Sequence, residues 1–508
     1  MTATATNPAQ KVESVFRPAL LLMSGRMLAF VATFFIPVVL TRVFDTAQFG
    51  TYKQLFLVYA SAYYIAQLGM ASSLYYFLPA AAHEAGRFVA NSMLFLGAAG
   101  LVCMGLLVGA APRLADWLSN SELAVYIPWI GVYLFLMLLS STLETVLISR
   151  RQYRTASASY ALSDLARAAA FTLPVLLFRE LAWLLKGAVL VAVLRLAVTL
   201  LYFRKEFPGR FTTDRVLFRT QLKYALPFAA AVFLEIVQAS LPQYAVSYLF
   251  DPATFAIFAV GCLQIPLVDF AASPTSDVMM VKMQGILAEG RKPAAVGIWH
   301  DATWKLALLF FPLTALCVLG AQPIILLLFT EKYAASVPIF MAWSMIILLA
   351  TFQVDGVLRV FAQTRFLLAL NIMRLVIIAG LLKWSLTEFG LLGPVFVVAL
   401  ANVAFKTAAL IRIKRLFNVS CSELLPWARL AALLIVAIAA GTAAWVVKSQ
   451  LSVAPVMLLL AMGLAYAPIY ATLVWRFNLL SSGEKQGLAS WARRLQTTAT
   501  GAFHFGKR

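Results

Sequence analysis

The chain is poor in charge, and poorest in acid. Of its 508 residues 12% are charged, with 21 acidic against 41 basic side chains. Soluble domains carry about 25% charged and about 45–50% apolar residues. Here 62% are hydrophobic and the mean hydropathy is +0.87, a surplus too large to bury in soluble cores. The length would allow about three soluble domains, but no stretch is polar enough to be one. Three histidines, His83, His300 and His504, stand far apart without metal-ligand spacing. Four cysteines, Cys103, Cys262, Cys317 and Cys421, show no paired spacing, which argues against a disulfide framework or a metal site. No Walker loop or glycine-rich nucleotide fingerprint occurs, so ATP is not expected as the direct driver and no cofactor is implied. Residues 1–16 lack an apolar core followed by a small-residue cleavage site and read as a short tail.

Long apolar runs fill the space these absences leave. A bilayer core about 30 Å thick needs about 20 apolar residues per helix, and about fourteen such runs lie between residues 17 and 476. The expected fold class is an all-α integral membrane protein of about 14 transmembrane helices. Most of the 41 basic residues fall on one side of the resulting alternation, which places both termini in the cytoplasm. The net charge of +20 is then a loop bias, not a mark of a nucleic-acid partner. Two basic, mildly amphipathic segments suit helices lying at the headgroups: residues 204–223, and the tail around Leu488, Trp491 and Leu495. Gly105 and Gly109, one turn apart, read as a close helix contact.

A six-span unit occurs twice. Phe44-Asp45-Thr46-Ala47-Gln48-Phe49 after the first span matches Phe250-Asp251-Pro252-Ala253-Thr254-Phe255 after the seventh, 206 residues on. Gly187-Ala188-Val189 and Gly393-Pro394-Val395 repeat the same offset, and Asp164-Leu165-Ala166-Arg167 answers Asn371-Ile372-Met373-Arg374 at 207. An even number of spans makes the copies parallel, related by an axis along the membrane normal. The expected divisions are a tail (1–16), two six-helix lobes (17–222 and 223–428), an extra helix pair (429–476) and a second tail (477–508).

Ionisable groups inside spans cost several kcal/mol unless they face a cavity or a partner. Arg26, Arg167 and Arg374 lie roughly 12–17 Å from the cytoplasmic boundary at 1.5 Å per residue, and Arg195 reaches a similar depth. Guanidinium keeps its charge and offers a planar fork to phosphate or carboxylate, so these four are candidates for an anionic, pyrophosphate-like ligand. Neutralisation competes with that reading for Arg167, since Asp164 three residues earlier shares its helix face. Arg26 has no acid within a turn. Asp164, Glu235, Asp269, Asp355 and Arg359 are candidates for a coupling-ion site or a gate. Glu144 and Asp277 are further membrane-embedded acids, and plain charge balancing competes for each acid.

Thr41-Arg42-Val43-Phe44-Asp45 leading into Phe49-Gly50-Thr51-Tyr52, then Gln67-Leu68-Gly69-Met70, resembles the polysaccharide transporter family. That family lies in the multidrug/oligosaccharidyl-lipid/polysaccharide exporter superfamily and includes Wzx-type O-antigen flippases. Phe329-Thr330-Glu331-Lys332-Tyr333 and Glu388-Phe389-Gly390-Leu391-Leu392-Gly393 support the likeness, with Thr330 standing where the family usually has glycine. The resemblance implies a flippase, not an enzyme, in a bacterial inner membrane. It would carry a polyprenyl-diphosphate-linked oligosaccharide by alternating access. Implied partners are that lipid-linked oligosaccharide, the membrane lipids, and a polysaccharide polymerase with its chain-length proteins. Rival functions are a peptidoglycan-precursor flippase, a multidrug cation antiporter and a membrane polymerase or ligase. Buried arginines disfavour the antiporter, and short outer loops disfavour the enzyme.

Overall fold

The computed structural model describes residues 16–480 apart from Arg210, with side chains from Ser24 onward except those of Arg26, Ala82 and Phe228. Among these residues the chain is almost wholly helical, has no strand, and packs as two compact units that divide between Ala259 and Val260.

The first unit holds α1 (Phe16–Val43), α2 (Thr46–Gln67), α3 (Met70–Ala80), α4 (Ala85–Trp117) and α5 (Leu123–Ser140). It continues with α6 (Leu143–Ser149), α7 (Tyr153–Phe178), α8 (Leu181–Glu206), α9 (Arg215–Leu249) and most of α10 (Pro252–Gly261). The second unit holds α11 (Pro266–Ala288), α12 (Lys292–Leu319), α13 (Ala321–Phe329), α14 (Val337–Met345), α15 (Ile347–Ala350) and α16 (Val354–Val360). Then come α17 (Thr364–Phe389), α18 (Gly393–Phe417), α19 (Cys421–Leu424), α20 (Trp427–Gln450) and α21 (Pro455–Arg476).

Eleven segments are long and apolar enough to cross a membrane, and the pair α10–α11 makes a twelfth. One of the eleven is the 54-residue stretch Thr364–Phe417, about 81 Å at 1.5 Å per residue and more than twice a bilayer core. It is two spans, because α17 and α18 turn at Gly390 and pack side by side. Dividing it, and adding α1 with its apolar tract Met27–Val43, brings the total among the described residues to fourteen.

The repeated motifs now have physical roles. Asp45 caps α2, its Oδ1 accepting the Gln48 N–H at 2.7 Å, and Asp251 Oδ1 accepts the Thr254 N–H at 3.3 Å. Each satisfies a donor that the first turn of a helix leaves open. Phe49 and Phe255, four residues after each aspartate, are fully buried. Gly187 and Gly393 mark close approaches: a Cβ there would stand 2.5 Å from the Ala170 carbonyl oxygen and 2.1 Å from that of Ser385. Gly105 and Gly109 do not behave this way. A Cβ at either meets nothing within 4 Å, because that face of α4 points outward, so their spacing marks no close contact.

The segment expected at the headgroups between spans six and seven is not a separate helix. α8 runs on to Glu206 and α9 begins at Arg215, so its charges sit on the ends of two spans. Asp214 caps α9 by accepting the N–H groups of Val216 and Leu217. Its backbone exchanges hydrogen bonds of 2.9 and 3.0 Å with the Asn91 amide of α4. Gln221 then donates to Ser73 and Ser92, which ties the start of the seventh span to α3 and α4. The expected tail helix around Leu488, Trp491 and Leu495 lies outside the described residues.

Thr330 takes φ 73° and ψ 171°, a region that is essentially glycine's alone and an outlier for a β-branched residue. Its hydroxyl is buried without a hydrogen-bond partner. This accounts for the glycine usual at that place in the family. Thr330→Gly should therefore stabilise the protein by about 1–2 kcal/mol, the released strain of about 1–3 kcal/mol exceeding the added chain entropy of glycine. Thermal unfolding of the purified protein in detergent reads this as a raised midpoint; an unchanged or lowered one contradicts it.

Candidate functional site

In the first unit the candidate side chains gather where α2, α5, α6, α7 and α8 meet. Tyr52, Phe56, Tyr59 and Tyr63 fall at steps of four, three and four residues along one face of α2. Neighbouring ring centroids are 4.8, 5.8 and 5.6 Å apart, within the range of favourable aromatic pairs. Tyr133 of α5 and Phe171 of α7 complete the cluster, packed on Phe56 and Tyr59. Arg167 of α7 reaches into it and is hydrogen-bonded to the Tyr133 hydroxyl, which also meets Tyr59. Its Nη2 lies 2.6 Å from Asp164 Oδ1, so the neutralising pair read from the sequence forms.

Arg195 of α8 is held by a different acid. Its Nη2 donates to Glu144 Oε2 at 2.7 Å and its Nε to Ser140 Oγ at 3.3 Å. The second carboxylate oxygen of Glu144 accepts from Ser159 at 2.9 Å. The side chains are 16% and 6% exposed, which makes this a buried, fully engaged pair. It stands at a break in the fourth span, where α5 ends at Ser140 and α6 begins at Leu143. A largely apolar groove of about 390 Å³ opens beside it between α6, α7 and α8, with Arg195, Ser159, Ser163 and Tyr202 among its lining.

The second unit builds a looser cluster. Arg374 of α17 approaches Asn402 Oδ1 at 3.5 Å and lies over the Phe405 ring, 5.4 Å from its centroid. Lys406 stands 5.8 Å from the same centroid. Its Nζ donates to the Phe352 carbonyl at 2.8 Å and approaches Asp355 Oδ2 at 3.5 Å. Phe352 lies in a break of the tenth span, between α15 and α16.

The remaining sequence candidates are spread more widely. Arg26 sits on α1, whose backbone meets α7 where Gly25 approaches Ser157, and its side chain lies outside those described. Glu235 on α9 and Asp269 in the first turn of α11 are exposed and have no ion-pair partner among the described residues. Arg359, one turn after Asp355, is exposed; Asp355 faces Lys406 instead. Two elements went unread in the sequence. The tyrosine face of α2 is visible in its spacing but looks like any other apolar span, and Lys406 lies close enough to the end of an apolar run to pass for a loop charge. α18 runs to Phe417, which leaves Lys406 near the middle of a 25-residue helix.

The model of the family described as polysaccharide biosynthesis protein matches residues 15–266, just under half of the chain. No curated protein sequence matches. Among solved structures, lipid II flippase MurJ in an inward closed conformation is similar at TM-score 0.68 and 11% identity, over 92% of this chain and 100% of that one. An inward-facing multidrug resistance MATE family transporter gives 0.58 at 13% identity, over 79% and 100%. A transporter of the same superfamily from Pyrococcus furiosus gives 0.52 at 14% identity, over 79% and 94%. These likenesses concern the fold. Residues 15–266 are thus similar to the polysaccharide biosynthesis protein family, and the chain as a whole has the fold of the multidrug/oligosaccharidyl-lipid/polysaccharide exporter superfamily.

Proposed function

We propose that the chain moves a polyprenyl-diphosphate-linked oligosaccharide from the inner to the outer leaflet of a bacterial inner membrane by alternating access, with both termini cytoplasmic. One observation carries the reading: each unit holds a guanidinium group within its spans beside the one closed on Glu144, Arg167 in the first and Arg374 in the second. A diphosphate headgroup is the ligand chemistry that such forks fit. The tyrosine face of α2 extends the reading to the sugar. Aromatic rings offer apolar faces to a sugar's C–H surface while phenolic hydroxyls bond its polar edge. Glu235 and Asp269, exposed and unpaired among the described residues, are the acids best placed to take a coupling proton or cation, and Arg26 remains a candidate headgroup contact.

The test is surface polysaccharide in cells carrying Arg26→Ala or Arg374→Ala with the protein retained in the membrane. Loss of export supports the reading; unchanged polysaccharide in both overturns it. A peptidoglycan-precursor flippase shares the fold, and complementation of a strain lacking that activity separates the two.

A further inference from the structure

The groove between α6, α7 and α8 of the first unit has three walls, each set by helix register. Ala158, Leu162 and Ala166 of α7 stand four residues apart, as do Leu194, Val198 and Tyr202 of α8. Leu143 and Leu147 of α6, also four apart, close the third side. Residues at that step share one helix face, so three largely apolar stripes lie side by side. The groove measures about 390 Å³, within the range of sites that hold small ligands, about 300–1,000 Å³. Along α8 it runs from Val191 to Tyr202, about 16 Å at 1.5 Å per residue. That is about half the thickness of a bilayer core, the reach of one leaflet.

Its polar floor is closed on itself. Arg195 and Ser159 both donate to Glu144, so the groove presents mainly hydrocarbon, and Leu162, Leu194 and Val198 on its rim are exposed. The free charges lie at one end. The α7 stripe, continued four residues back from Ala158, reaches Arg154; the α8 stripe, continued three residues past Tyr202, reaches Lys205. Both are exposed and have no ion-pair partner among the described residues. Glu206 at the same end is already bonded to Arg150. The Tyr202 hydroxyl donates to Gln152 at 3.0 Å, and tyrosines of spans gather at the headgroup level. Arg154 and Lys205, one turn further out, then stand at the depth of lipid phosphates.

We infer that this groove binds an anionic phospholipid of the surrounding bilayer, one acyl chain lying between α7 and α8 and the phosphate meeting Arg154 and Lys205. Basic groups between the ends of spans attract anionic headgroups; here they select the charge and the groove selects the chain. A second copy of the protein is a poorer occupant. A twofold contact through this face would bring each copy's Arg154 and Lys205 against the same residues of the other, and opposed like charges are unfavourable. The inference goes beyond the flippase reading and does not depend on which substrate is carried.

The test is native mass spectrometry of the purified full-length protein in detergent, titrated with dioleoyl phosphatidylglycerol and, separately, dioleoyl phosphatidylcholine. Wild type should bind the anionic lipid about tenfold more tightly or better. Arg154→Gln with Lys205→Gln should weaken phosphatidylglycerol about 30-fold, at about fivefold per charge near a headgroup, and change phosphatidylcholine less than about twofold. Loss confined to one lipid is a pattern that misfolding does not produce. Ala158→Trp fills the groove from an exposed position and should weaken both lipids about tenfold, the effect of taking about two CH₂ groups out of contact. Arg113→Gln, an exposed charge on α4, should change either lipid less than about twofold. Equal affinity of wild type for the two lipids, or wild-type affinity in the double variant or in Ala158→Trp, overturns the inference. So does displacement of phosphatidylglycerol by equimolar farnesyl diphosphate, which would assign the groove to a prenyl diphosphate, or a dimer that forms as the lipid leaves, which would make this face a protein contact.

Discussion

Glu144→Ala should cost the first unit about 3–5 kcal/mol of stability, the penalty for leaving a buried charge without its partner. The carboxylate is 6% exposed and satisfies both Arg195 and Ser159, so its removal strands the guanidinium of a span and a hydroxyl together. Removing both charges should cost much less, because a well-packed apolar replacement for a buried ion pair is often close to neutral. The double variant Glu144→Leu with Arg195→Met is therefore expected to unfold at a higher denaturant concentration than Glu144→Ala alone. A thermodynamic cycle of Glu144→Leu, Arg195→Met and their double variant should give a coupling of about 2–3 kcal/mol. Additive costs would contradict a closed structural pair and return Arg195 to the list of residues awaiting a ligand.

The second large effect concerns Arg374. If its guanidinium holds a diphosphate, Arg374→Ala removes hydrogen bonds to a charged group worth about 1.5–3 kcal/mol each. A bidentate contact then amounts to a fall in transport of about 100-fold or more. Arg374→Lys should restore only part of this, because a point charge does not reproduce the planar fork. The rate should fall without a matching fall in thermal stability. Equal losses of stability and transport would mark the residue as structural. Arg167 should behave differently: its pair with Asp164 and its bond to Tyr133 make any substitution a change to the aromatic cluster as well.

The fold was legible because hydropathy and chain length leave few alternatives. Fourteen apolar runs have only fourteen spans to form, and the two caps at Asp45 and Asp251 were visible as a repeated turn before either was seen to bond its backbone. Breaks within spans were harder to read. Ser141-Thr142 and Thr351-Phe352-Gln353 interrupt helices without a proline or glycine in either break to mark it. The parallel between the pairs Glu144–Arg195 and Asp355–Lys406 is hidden for a related reason. Its offset of 211 differs from that of the turns, so matching at one fixed spacing passes over it. Lys406 is hard to place from sequence because hydropathy puts a charge near the end of a span at the boundary, whereas α18 continues to Phe417 and carries that charge inward. Arg167 and Arg195 were read correctly as charges within spans, but which acid each would meet depended on the fold. Asp164 was visible three residues away on the same helix; Glu144, on another helix, was not.

The most direct test of the central claim is translocation by the purified protein in liposomes. The substrate is a fluorescent polyprenyl-diphosphate-linked oligosaccharide placed in the outer leaflet, and its loss of access to an external glycosidase is followed over time. The account predicts transfer that depends on the wild-type protein, that Arg374→Ala reduces about 100-fold, and that a matched polyprenyl monophosphate without sugar does not undergo at the same rate. Transfer at the rate of protein-free liposomes, or equal rates for wild type and Arg374→Ala, would contradict it.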